Sequence, residues 1–166
     1  MNKLILFLLP CLFVCSLYGQ TALSFDEAEK QGITTKYLDN VYPDAMGNDR
    51  GTPVFESSEE VSKAWQKMLQ DISSFLRKKE EMRQININIF QRVYFNKDGK
   101  VDYYLYKIIN LAELTEEQVQ QVADLLNEFV KDYQFSLSAD KGFVQCGRAK
   151  LVSECPSPKE KSESID

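Results

Sequence analysis

Histidine is absent from all 166 residues. That removes the commonest general base, the Ser-His and Cys-His constellations of nucleophilic catalysis, and every His-containing metal site. Positive charge is also in short supply, with 20 basic residues against 25 acidic ones. Only Lys3 of these lies in the first 19 residues, so the remainder carries 19 against 25, or −6. A chain this acidic is no natural partner for nucleic acid. Proline is scarce, at five, which excludes a long proline-rich spacer. Long apolar runs are confined to the N-terminus, and the roughly 147 residues that follow make one ordinary domain.

The N-terminus, MNKLILFLLPCLFVCSLYGQ, has a charge at Lys3, an apolar run from Leu4 to about Val14 and a small-residue stretch ending at Gly19. This is the layout of a secretory signal peptide spanning residues 1–19. The run falls short of the roughly 20 residues a membrane span needs, and Pro10 interrupts it. No stable span is therefore expected after cleavage, and the chain is expected in the periplasm or outside the cell. Cys11 and Cys15 leave with the signal, so Cys146 and Cys155 remain. In an oxidising compartment an even pair reads as a disulfide. Such a bridge would close a loop of about ten residues, worth about 2–3 kcal/mol in the chain-entropy model.

Residues 20–56 carry Gly32, Gly47, Gly51, Pro43 and Pro53 and read as short helical turns, Phe25–Gln31 and Thr35–Val41, followed by an irregular stretch. From Ser57 a capping box, Ser57-Ser58-Glu59-Glu60, opens an amphipathic helix in which Val61, Trp65, Met68, Leu69, Ile72, Phe75 and Leu76 recur at helical spacing. The period then shortens to two. Ile85, Ile87, Ile89, Val93 and Phe95 form one face of a strand, and Phe90, Arg92 and Tyr94 lie on the other. Asn96-Lys97-Asp98-Gly99 is a bulged turn into a second strand, Val101–Ile109. With a three-residue loop, Phe95 faces Val101, Val93 faces Tyr103 and Ile89 faces Lys107, leaving one aliphatic and one aromatic face. A capping box, Thr115 with Gln118, opens a second helix to about Tyr133, whose buried stripe is Val119, Val122, Ala123, Leu126, Phe129 and Val130. A last strand, Phe143–Val152, precedes a disordered tail, 156–166. The expected fold is α+β over residues 57–155: a small antiparallel sheet, hairpin plus C-terminal strand, packed with two main helices.

No group of residues stands out for chemistry. Asn96, Asp98, Lys100 and Asp102 alternate around Gly99, but a calcium loop in that register would put Tyr94 and Leu105 at ligand positions. Asp98, Asp102, Glu113, Glu116 and Glu117 include no pair singled out by spacing, and acidic residues at a helix start are expected from the helix dipole. The hydroxyl residues have no histidine to activate them. No catalytic residue, metal ligand or cofactor is therefore assigned. The candidate binding residues are Phe90, Arg92, Tyr94, Tyr104 and Tyr106, aromatics around an arginine, which is the composition of interface centres. The same residues also suit a second core layer, covered by Tyr37, Tyr42, Val54 and Phe55 or by the long helix, because an exposed patch of that size would be a solubility hazard.

The stretch FQRVYFNKDGKVDYYLYKI, the helix Val119–Tyr133, and Phe135, Gly142 and the strand Phe143–Leu151 resemble the C-terminal domain of TonB- and TolA-type periplasmic proteins. The chain after the signal also resembles small secreted bacterial proteins that carry such a domain. The resemblance implies a small sheet with helices on one face, docking a partner by sheet edge or strand pairing. A cleavable leader and few prolines depart from the anchored, spacer-bearing energy transducers. The expectation is thus an exported, non-enzymatic binding or scaffold protein of the bacterial envelope with a protein partner. The alternatives are a small carboxylate-dependent hydrolase, or a small-ligand carrier or inhibitor. Oligomeric state is not legible.

Overall fold

The computed structural model describes residues 20–47 and 51–152. Residues 1–19, expected from sequence to be a signal peptide, and residues 153–166, with Cys155 and the expected disordered tail, lie outside the described residues. In chain order the elements are β1 (Thr21–Ser24), α1 (Phe25–Lys30), α2 (Thr35–Val41), α3 (Ser58–Leu76), β2 (Asn86–Phe95), β3 (Val101–Ile108), α4 (Glu116–Asp132) and β4 (Phe143–Val152). Short 3-10 turns at Glu80–Met82 and Leu111–Glu113 join the larger pieces. The molecule is α+β, and no helix among the described residues is long and apolar enough to cross a membrane.

Local chemistry accounts for the helix starts. Ser57 accepts the Glu60 N–H at 3.2 Å, and Thr115 and Gln118 close a reciprocal capping box. Ser24 and Glu27 form another at α1. The hairpin turns at Gly99, whose φ of +82° suits glycine. A Cβ there would also lie 2.7 Å from the Leu137 carbonyl oxygen, because the chain after α4 packs against the turn.

The sheet has the order β1-β3-β2-β4. β2 is antiparallel to both β3 and β4, as expected of a hairpin plus C-terminal strand. The expected all-antiparallel sheet is corrected by β1, which adds to β3 in parallel and makes the sheet mixed. Residues 20–56 thus contribute a strand to the sheet. Asn127 of α4 secures that strand, accepting the Ala22 N–H at 2.9 Å and donating to the Ala22 carbonyl at 2.8 Å. This satisfies backbone groups on an otherwise open edge.

The register of the hairpin is the second correction. Phe95 does face Val101, but Tyr94 then faces Tyr103, Val93 faces Tyr104 and Ile89 faces Ile108. Asp102 is the extra residue of a β-bulge opposite the Tyr94–Phe95 step. One inserted residue reverses which face each later side chain occupies. The register read from the turn alone would have placed Lys107 beside Ile89 in the core; the bulge places Ile108 there and turns Lys107 to solvent.

The main core lies between one face of the sheet and α3 and α4. It joins Val61, Met68, Ile72, Leu126 and Val130 from the helices to Ile87, Ile89, Val93, Phe95, Tyr104 and Tyr106 from the strands. A smaller cluster on the opposite face joins Ala28 and Leu38 of α1 and α2 to Tyr94, Leu105 and Val144.

Candidate binding surface

The bulge divides the five candidate residues between the two faces. Tyr104 and Tyr106 belong to the main core under α3 and α4, whereas Tyr94 belongs to the smaller cluster, with Phe90 and Arg92 at alternate positions on its strand. A single aromatic face holding all five is therefore corrected. Tyr94 and Tyr104 are fully buried and Tyr106 is 4% exposed.

On the smaller side, α2 is held by polar contacts as well as packing. Asp39 forms an ion pair with the Arg92 Nη2 at 2.7 Å and accepts the Tyr94 hydroxyl at 3.1 Å. Burial is the main cause that pushes the Tyr94 phenol above its ordinary pKa, with Arg92 opposing and Asp39 adding to the shift. Tyr42 meets the Tyr94 ring edge-on at 5.4 Å and donates its hydroxyl to Asp102 at 2.8 Å. Burial raises the Asp102 carboxyl, and the Tyr42 bond partly offsets that. Phe25 stacks on Phe90 at 5.9 Å. Of the covers named from sequence, Tyr42 is in place. Tyr37 is exposed, and Val54 and Phe55 pack instead against the main core.

On the helix side, the Tyr104 hydroxyl donates to Gln91 Oε1 in a fully buried pair, and Gln91 Nε2 has no partner among the described residues. The carboxylates considered for catalysis have separate settings. Asp102 holds Tyr42, Glu113 accepts from Asn110 at 2.9 Å, Asp98 is exposed in the hairpin turn, and Glu116 and Glu117 lie in the first turn of α4. Among the described residues no group of three or more cysteines and carboxylates is placed to hold a metal ion.

The open part of the sheet is β4, which sequence reading had treated only as a closing strand. Val144 donates its N–H to the Pro43 carbonyl at 3.0 Å and accepts the Ala45 N–H at 2.9 Å, so its backbone groups point away from β2. Alternation turns those of Cys146, Arg148 and Lys150 the same way. Past Val144, these outward groups meet only a 3.5 Å contact from the Gln145 amide to the Cys146 carbonyl among the described residues. The side chains of Cys146, Arg148 and Lys150 are exposed, and Cys146 has no disulfide partner among the described residues. Its expected bridge partner, Cys155, lies outside the described residues. The alternation of Cys146, Arg148 and Lys150 with Gln145, Gly147 and Ala149 was the available signal for one solvated face.

No protein-family model matches the chain, and comparison with curated proteins and with solved structures finds no match.

Proposed function

We propose that this chain is an exported, non-enzymatic binding module of the bacterial envelope that takes up an extended segment of a protein partner along the outer edge of β4. The observation that carries this reading is the row of outward backbone groups at Cys146, Arg148 and Lys150, beside a solvated side-chain face. A strand added there would gain main-chain hydrogen bonds, and Arg148 and Lys150 would favour an acidic neighbour. Two readings from sequence support the same picture: the signal segment, and the resemblance to TonB- and TolA-type domains, which dock partners through sheet edges. The buried aromatics serve the fold in this reading, and the interface moves to the strand beside them.

Proline substitution tests it. Arg148 directs its N–H outward, so Arg148→Pro removes a docking donor without removing a bond to β2, and Gly147 before it has no Cβ to clash with the ring. The comparison is with Arg148→Ser, which removes the charge alone. A partner cross-linked to the wild type in its native envelope is expected to be retained by the serine variant and lost from a folded proline variant. Equal capture by both would refute strand addition at this edge.

A further inference from the structure

β1 is four residues long, and at Ser24 the chain turns into α1. β3 continues for two more residues, Lys107 and Ile108, with no strand beside them on that side among the described residues. A cavity of about 290 Å³ occupies the notch, between the start of α1, the end of β3 and the first half of α4. Phe25, Ile108, Leu111, Val119 and Ala123 make it largely apolar, and Leu111 at its mouth is 53% exposed. Its dimensions are at the small end for a site that encloses a small molecule.

Three polar features converge on this apolar wall. Tyr106 lines the cavity, is 4% exposed, and makes no hydrogen bond to a described residue. Its ring is buried while its hydroxyl oxygen stays accessible beside the cavity, so the hydroxyl has hydrogen-bonding capacity that the described residues leave unused. The carboxylates of Asp26 and Glu27 stand at the rim. Ile109 donates its N–H to Asn88 on β2 at 2.7 Å, so alternation directs the backbone carbonyl of Ile108 into the notch as an acceptor. The charges around Tyr106 have one sign. Burial first, then the Glu27 and Asp124 carboxylates, push its phenol up to about 12. Lys107, the one cation of the lining, alternates onto the opposite face of β3 and is exposed.

We propose that this notch binds an organic ammonium group carried on a small apolar body. The body fills the space between Phe25, Leu111 and Val119, and the ammonium donates to the Tyr106 hydroxyl and the Ile108 carbonyl beside the rim carboxylates. The aromatic walls favour a cation as well as an apolar surface. A free amine and the lysine side chain of a partner both carry this chemistry. The site is on the β1 side of the sheet, apart from the β4 edge, and does not depend on strand addition there.

Titration of the purified protein, followed by amide chemical shifts, tests the proposal with phenethylammonium, 2-phenylethanol and 3-phenylpropionate. Phenethylammonium is expected to shift the amides of residues 24–27, 106–108 and 119–123 and to bind about tenfold tighter than the alcohol. Tyr106→Phe keeps the ring and is expected to weaken the ammonium by about tenfold with an unchanged melting temperature. Leu111→Asn, at an exposed position, is a second variant expected to weaken it without threatening the fold. Nα-acetyl-lysine methylamide distinguishes the sources. Saturation by it at the same amides indicates a partner's lysine, and saturation by phenethylammonium alone indicates a free amine. Equal binding of alcohol and ammonium, preference for the propionate, or wild-type affinity in both variants would overturn the assignment.

Discussion

On one face of the sheet, α3 and α4, of 19 and 17 residues, lay apolar stripes against β2, β3 and β4. On the other, α1 and α2, of six and seven residues, contribute only Ala28 and Leu38 to the buried cluster. Helices that short do not persist alone in water. Their side is tied down by charge and hydroxyl groups instead: Asp39 with Arg92 and Tyr94, and Tyr42 with Asp102. The long-helix side draws its stability from area removed from water, which is non-directional and additive over many side chains. The short-helix side depends on a few directional contacts, each of which can be removed singly. The first is therefore expected to unfold as a unit, and the second to open locally.

Three changes sharpen that contrast. The largest effect is expected at Leu126, fully buried in α4 against the main core. Leu126→Ala should lower global stability by about 2–5 kcal/mol, read as a shift in the denaturant midpoint with every probe moving together. Asp39→Ala should cost less, about 1–3 kcal/mol, by leaving Arg92, whose side chain is only 12% exposed, without its carboxylate. Its signature is faster amide exchange over residues 25–41, with α4 unchanged. Uniform acceleration throughout the protein would erase the distinction between the faces.

The smallest effect concerns Asp102, whose carboxyl is raised by burial. A raised folded-state value means that the protonated form suits the fold. The associated stability is present below the unfolded value of about 4 and is lost as pH rises through the folded one. Asp102→Asn removes that loss while leaving an acceptor for Tyr42. The variant should therefore gain relative to wild type, by well under about 1 kcal/mol, between acid and neutral pH. Melting curves across that range check the sign, and a variant that loses ground toward neutrality would contradict it.

Much of the architecture was legible. Helical spacing and capping residues located α3 and α4, and both short helices were read close to their observed limits. Alternation located three of the four strands, with β4 read as Phe143–Val152. β1 escaped because Thr21–Ser24 is too short to display a period. The candidate site was less legible. The run Tyr103-Tyr104-Leu105-Tyr106 has large apolar groups at both parities, so the pattern does not choose a face. The cost of Lys107 in a core was the cue that favoured the other register.

By itself the sequence determined which segments are helix or strand, since period, capping and turn chemistry act over a few residues. It also determined that no histidine-based chemistry is available. Only the tertiary structure decided that Asp102 is inserted as a bulge, that Tyr104 and Tyr106 turn away from Tyr94, and that β1 ends short enough to leave a cavity beside β3. Those outcomes depend on how the sheet satisfies both faces at once. A one-residue change of register moves every later side chain across the sheet, and the energy that selects it comes from contacts with distant helices.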